Sequence, residues 1–190
     1  MDIPFKQIIG EIDKSQRKTR RTLNEFLEIE PKDILERHHR GLYWFWTKLN
    51  SKELMQYRIA VEGTREVPIH LLVAQRQNLN HVCKVEEDGF QIVYNGIGGY
   101  KKEPANFGLR ERIYQELNSN HHLTGTINLL NRSKQDAIKE NWCISFFDFD
   151  DKRNKDILKQ LKSKNPYTDY APTLELLWRL EFGIPILTRH

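Results

Sequence analysis

Ile92-Val93-Tyr94-Asn95-Gly96-Ile97-Gly98-Gly99, followed shortly by Leu109-Arg110-Glu111-Arg112-Ile113-Tyr114, decides how this chain is read. An apolar run ends abruptly in a glycine-rich turn, and a basic helix follows. A strand that breaks at glycines and leads into such a helix can gather a tyrosine and an arginine around one phosphate. Without β-carbons, Gly96, Gly98 and Gly99 either admit a sugar-phosphate chain or simply make a turn. Just upstream, His81–Val85 and Phe90–Tyr94 flank Asp88-Gly89, a pair suited to the positive φ angles of a tight hairpin.

Outward from there, Leu42-Tyr43-Trp44-Phe45-Trp46-Thr47 reads as a strand, because aromatics this dense fit a pleated, half-buried surface. Val67–Ala74 reads as another, with Pro68 at its start or on a sheet edge. Gln56–Val61 is a weaker candidate, and Cys143–Phe147 reads as a buried strand. Helical spacing runs through residues 5–28. Pro31 opens and Gly41 closes a second helix, the favoured asymmetry. A helix over 107–118 carries Leu109, Ile113 and Leu117 on one stripe, with Asn106 able to cap it. Two short helical pieces follow over 123–140, then a helix over Asp156–Lys162 and a last one from Pro172 to Gly183. Strands and helices mix without regular β-α alternation. This predicts an α+β fold: a small antiparallel β-sheet flanked by helices.

The 190 residues suit one domain, or a domain with an appendage, and the net charge of +4 leans toward a polyanionic partner. Cys83 and Cys143 sit in apolar runs with no CxxC pair, which argues against a disulfide framework or zinc site and for a reducing compartment. The opening Met1-Asp2-Ile3-Pro4-Phe5-Lys6 lacks the order of a signal peptide, and no apolar run is long enough for a bilayer. The expectation is a cytoplasmic protein with no membrane partner. Lys14, Arg17, Lys18, Arg20 and Arg21 crowd one short stretch. They read either as contacts to a phosphate backbone or as a solvated helix face balanced by Glu11, Asp13 and Glu25. His38 and His39 are adjacent on the expected helix, so they point apart and share no metal.

The last helix is apolar on nearly every side, through Leu174, Leu176, Leu177, Trp178, Leu180 and Phe182, which predicts burial. Glu175 and Arg179 then need an explanation. Either they pair at (i, i+4) on a narrow exposed strip, or Glu175 projects into a cleft to hold a divalent cation.

Taken in order, these pieces resemble the GIY-YIG nuclease family of homing, restriction and repair endonucleases. Gly41-Leu42-Tyr43 looks like the GIY element and Tyr94-Asn95-Gly96 like the YIG element. Leu109-Arg110-Glu111-Arg112 is similar to the helix motif whose last Arg is catalytic. Glu175 looks like the metal-binding Glu, and Gly183–Leu187 like the closing segment. The resemblance covers 41–190, with an insertion at about 48–90, and leaves 1–40 as an N-terminal helical extension.

Three departures stand out. The two tyrosine strands are far apart in sequence, and the Asp88-Gly89 hairpin offers Cys83 as the occupant of the first position; the glycine before Tyr43 favours Tyr43. Glu116 stands one turn after the Arg, where His or Tyr is common. Thr188 replaces a closing Asn.

The resemblance implies hydrolysis of DNA phosphodiester bonds by an endonuclease. Tyr43, Tyr94, Arg112 and Glu175 would be catalytic, and Glu175 would bind Mg²⁺ or Mn²⁺. Lys84, Gly96, Gly98, Arg110, Arg17, Lys18, Arg20 and Arg21 are the expected substrate contacts, and a homodimer on DNA is a further expectation. A nearby cation, such as Arg112, Lys84 or the metal, would lower a tyrosine toward use as a base.

Other readings remain. Asp148, Asp150 and Lys152 are loosely similar to the PD-(D/E)xK nucleases. The basic stretch at 14–21 and the aromatics at 43–46 would also suit a non-catalytic nucleic-acid-binding module. The same aromatics would equally suit a protein-interaction domain.

Overall fold

The strand Gly41–Thr47 is buried at all seven positions and has a partner on each side. Its run of aromatics without a charge is what a strand covered on both faces requires. The computed structural model describes residues 3–28, 35–36, 38–58, 65–99, 108–118, 125–132 and 135–189, with the side chains of 135–137 excepted.

In chain order the elements are α1 (Phe5–Arg17), β1 (Arg21–Thr22), α2 (Leu23–Glu28), β2 (Gly41–Thr47), α3 (Ser51–Leu54), α4 (Ile69–Arg76), β3 (Glu86–Glu87) and β4 (Phe90–Gly98). Then come α5 (Leu109–Asn118), α6 (Gln135–Asn141), β5 (Trp142–Asp148), α7 (Lys155–Lys159) and α8 (Pro166–Phe182). The five strands form one antiparallel sheet in the order β1-β5-β2-β4-β3, so the fold is α+β, as the sequence predicts. Among the described residues no helix is long and apolar enough to cross a membrane.

Side chains alternate across β2. Leu42, Trp44 and Trp46 meet Ile8, Ile9 and Ile12 of α1 and Leu174 and Trp178 of α8 on one face. Tyr43 and Phe45 meet Leu109, Ile113 and Leu117 of α5 on the other. The first face also holds a buried polar chain. Trp178 donates to Asp13 at 3.1 Å, Gln16 donates to Asp13 at 3.2 Å, Ser145 donates to Gln16, and Trp46 donates to Ser145 at 2.7 Å. Residues 5–28 are therefore woven into the sheet: α1 covers it, and β1 extends it beside β5.

Several expectations are corrected. The helix over 5–28 breaks after Arg17 and passes through β1 before α2. Leu35, Glu36 and His38–Arg40 are not helical, and Gln56–Arg58 are not strand; Pro31, Asn106 and the second half of the Gln56–Val61 candidate lie outside the described residues. Val67–Ala74 is not a strand. Pro68 is the N-cap of α4, and Ile69, Leu72 and Val73 are its buried stripe. The last helix starts at Pro166, capped by Asn165, and Pro172 lies inside it. Leu176 and Leu180 on that helix are 55% and 71% exposed, so it is not buried all round.

The Asp88-Gly89 turn is present, with φ of 51° and 76°, but its ladder pairs Glu86-Glu87 with Phe90-Gln91. Cys83 instead donates its N–H to Ile184 and packs on the α1 face. The long partner of β4 is β2, which sets Tyr43 opposite Gly96 and Gly41 opposite Gly98.

Gly98 has a packing role rather than the phosphate contact expected of it. A β-carbon there would lie 2.5 Å from Leu109 Cα, and its carbonyl already accepts the Tyr167 hydroxyl at 2.9 Å. Gly98→Ala must push α5 off the sheet and should lower stability by about 1–3 kcal/mol, read from the midpoint of denaturant unfolding.

Candidate active site

The β2–β4 ladder carries one irregularity, between Phe45 and Trp46, where Tyr94 and Ile92 are the successive partners and Val93 is left over. Such a bulge frees backbone groups from the ladder. The Val93 carbonyl accepts the N–H of Leu187 at 2.8 Å. That bond docks the segment after α8, and Thr188 then donates to Asn95 Oδ1 at 3.2 Å. Asn95 also accepts from Arg179 Nε at 3.0 Å.

Around this junction opens a cleft of about 300 Å³. Its walls include Tyr43 of β2, Tyr94 and Gly96 of β4, Arg112 of α5, and Glu175 and Arg179 of α8. The four side chains expected to be catalytic thus line one hollow. Glu175 does pair with Arg179, at 2.7 Å, but each side chain is only 14% exposed and both face the cleft rather than an outer strip.

Behind the cleft lies a carboxylate whose role the sequence does not announce. Glu116, one turn after Arg112, is fully buried. Its Oε1 accepts from Tyr43 Oη at 2.8 Å, Tyr94 Oη at 3.2 Å and Arg112 Nη2 at 2.6 Å. Its Oε2 accepts the Ile127 N–H at 2.9 Å. The ring of Tyr43 passes over Gly96, where a β-carbon would sit 2.3 Å from the hydroxyl, so Gly96 admits the tyrosine.

Charge follows from this packing. Burial pushes the Tyr43 and Tyr94 hydroxyls well above the ordinary tyrosine range, and the Glu116 charge adds to the effect. The expectation of a tyrosine lowered by Arg112 is reversed: Arg112 does pull down, but less than burial and Glu116 push up. Both tyrosines are neutral and donate to Glu116. Burial raises Glu116 itself, against Arg112, the Ile127 N–H and the two hydroxyls. Glu175 is raised by burial too, with Arg179 opposing. Arg112 stays cationic; burial works against its charge, but the two tyrosines and Glu116 together raise it.

Most of the other expected contacts lie elsewhere. Arg17 pairs with Asp13 at 2.7 Å, and Arg20 pairs with Glu87 at 3.4 Å and with Asp88, while its guanidinium stacks 5.3 Å from Trp46. Lys18 borders a separate hollow beside Asp151 and Arg153, and Arg21 is an exposed residue of β1. Lys84 is exposed and Arg110 pairs with Glu111 at 3.1 Å; neither lines the cleft. Of that group only Gly96 does.

Asp148 and Asp150 are engaged by His39 at 2.5 Å and Arg40 at 2.7 Å, away from the cleft, and Lys152 is exposed. Sequence reasoning missed Asn95, Arg65, Thr188 and Arg189 as cleft residues. Asn95 lies within the YIG-like element and Thr188 just after the closing segment, whereas nothing in the sequence marks Arg65 or Arg189.

Among the described residues that line the cleft, Glu175 is the carboxylate that could hold a hard divalent cation. Mg²⁺ keeps several waters and takes one or two carboxylates. Glu175 gives one oxygen to Arg179, and no described side chain takes the other. No group of three or more His, Cys, Asp or Glu gathers among the described residues, so any such site would be water-rich.

Set against known protein families, curated proteins and solved structures, the chain matches none of them.

Removing one partner of a buried ion pair strands the other. Glu116→Gln should cost about 3 kcal/mol, because Arg112 loses its counter-charge and an amide that keeps its oxygen toward the three donors turns its own N–H against that of Ile127. Arg153→Ala breaks a pair whose arginine is 82% exposed. It should change stability by less than about 0.5 kcal/mol in the same denaturation assay.

Proposed function

We propose that the cleft is the active site of a GIY-YIG-type endonuclease that hydrolyses DNA phosphodiester bonds, with Mg²⁺ or Mn²⁺ held by Glu175. The observation that carries this reading is the convergence of Tyr43, Tyr94, Arg112 and Glu175, from four different elements, on one cleft of about 300 Å³. The cation, when bound, supplies charge neutralisation at the phosphate and stabilises the leaving oxygen.

The rest falls to the chain's own groups. Arg112, held in place by Glu116, presents a fixed positive charge to the phosphate oxygens as negative charge builds there. A tyrosine hydroxyl that donates to Glu116 offers its oxygen lone pairs to the attacking water. The water donates into the tyrosine and is thereby oriented. As its oxygen attacks phosphorus, its proton passes to the tyrosine oxygen and the tyrosine proton passes to Glu116 Oε1. Glu116 is then the base and the neutral tyrosine is the conduit. Its raised basicity suits that task better than an ordinary surface carboxylate would. One such site cuts one strand at a time.

The test is cleavage of plasmid DNA with Mg²⁺ or Mn²⁺. Glu175→Gln should lower the rate at least about 100-fold with the fold intact. Arg112→Lys, which keeps the charge but loses the planar fork, should do likewise. Asp150→Ala should leave cleavage unchanged. Cleavage that survives the first two substitutions and dies in the third overturns the reading, as does a parent protein that never cuts.

Glu116 acts ionised as the base, and burial raises it above the usual value of 4.5. Activity should therefore fall as pH is lowered through a window above 4.5, with full activity on its alkaline side. A profile of kcat/KM against pH reads this directly, and an acid limb at or below the ordinary glutamate value contradicts it.

A further inference from the structure

Four arginines line the cleft: Arg65, Arg112, Arg179 and Arg189. Two are neutralised, Arg112 by Glu116 at 2.6 Å and Arg179 by Glu175 at 2.7 Å. Arg65 and Arg189 form no ion pair among the described residues, so within that set the cations of the cleft exceed their partner carboxylates by two. Like charges gathered in one hollow repel unless an anion joins them.

Their placement is built rather than incidental. Arg189 Nη2 donates to the Glu66 carbonyl, next to Arg65 in the chain. Glu66 is itself anchored by the fully buried Arg132 at 3.1 Å and by Asn128 at 2.6 Å. Gly125 lies between the guanidiniums. Its carbonyl is 3.4 Å from Arg112 Nη2, and a β-carbon on it would come within 3.0 Å of Arg189 Nη1 and 3.3 Å of the Arg65 carbonyl. A larger residue there would press on the Arg189 guanidinium. Beneath, burial pulls the Arg132 guanidinium down to about 10, and the charge of Arg189 pulls in the same direction.

We propose that Arg65 and Arg189 form a second phosphate subsite beside Arg112, which holds the phosphodiester next to the one that is cut. The proposal rests on the reading of the cleft as a nuclease site and adds the way it grips the strand beside the cut. The site takes a polynucleotide with consecutive phosphates, not an isolated phosphate ester. Each arginine that meets a phosphate displaces counterions, so the subsite contributes to the salt dependence of binding.

The experiment needs no cleavage. Binding of a short fluorescein-labelled DNA duplex is followed by anisotropy in EDTA across a range of salt concentrations. Arg65→Ala and Arg189→Ala should each reduce the slope of log affinity against log salt by roughly 0.9. Lys164→Ala, at an exposed lysine outside the cleft, should leave the slope unchanged. Arg65 is exposed, so its truncation spares the fold even if Arg189→Ala loosens the Glu66 segment.

Slopes that stay at the parent value in Arg65→Ala, or that fall equally in Lys164→Ala, overturn the subsite. A parent that cuts DNA but shows such unchanged slopes keeps the nuclease reading and loses the subsite. A parent that binds through both arginines yet never cuts keeps the subsite and loses the nuclease.

Discussion

The carboxylate of Glu116 is the constraint on which the cleft depends. An ionised carboxylate taken out of water is costly unless its lone pairs are filled. Here they are filled by a strand tyrosine from each side of the β2–β4 ladder, by a guanidinium from its own helix and by the N–H of Ile127. Satisfying one buried charge thus fixes the relative positions of β2, β4, α5 and the segment at 125–128. The same bonds set the chemistry. Hydroxyls that donate inward can only accept on their outer side, and a guanidinium tied to Gln115 and Glu116 keeps a fixed direction for its charge.

The opposite wall is set by backbone geometry. One extra residue in β4 leaves the Val93 carbonyl to Leu187, which brings Thr188 to Asn95 and Arg189 to the rim. Segment 65–67 comes from the other direction. The Val67 N–H donates to the Thr126 carbonyl at 2.8 Å, and Arg132 donates to the Val67 carbonyl at 2.7 Å. What the sequence marks as an insertion thereby supplies Val67 and Arg65 to the cleft wall.

The sheet was legible because its signals are local. The uncharged run Leu42–Trp46, the Asp88-Gly89 turn and the stripe of Leu109, Ile113 and Leu117 each state their own conformation. Two prolines misled for an instructive reason. Pro68 is compatible with the first residue of a strand or of a helix, and only the packing of Ile69, Leu72 and Val73 decides. Pro172 suggests a helix start, yet Asn165 and Pro166 upstream provide a better cap and entry. Among the site residues, the two tyrosines, Arg112 and Glu175 stand in recognisable surroundings. Arg65 and Arg189 do not, since their positions depend on long-range hydrogen bonds to Arg132, Glu66 and Val93. The basic stretch at 14–21 left two readings open because composition says nothing of geometry: in the fold Asp13, Glu87 and Asp88 meet Arg17 and Arg20.

The strand at the centre of the sheet carries one more consequence. Leu42-Tyr43-Trp44-Phe45-Trp46 has no charge, no proline and no glycine, the composition of a segment that zips readily with copies of itself. Its native neighbours begin only at Phe90 and Trp142, so during synthesis it emerges well before either. Until both arrive, each side of the ribbon is an open edge. The residue order that lets β2 unite the site also makes self-association the chief rival to folding, and that rivalry grows with protein concentration.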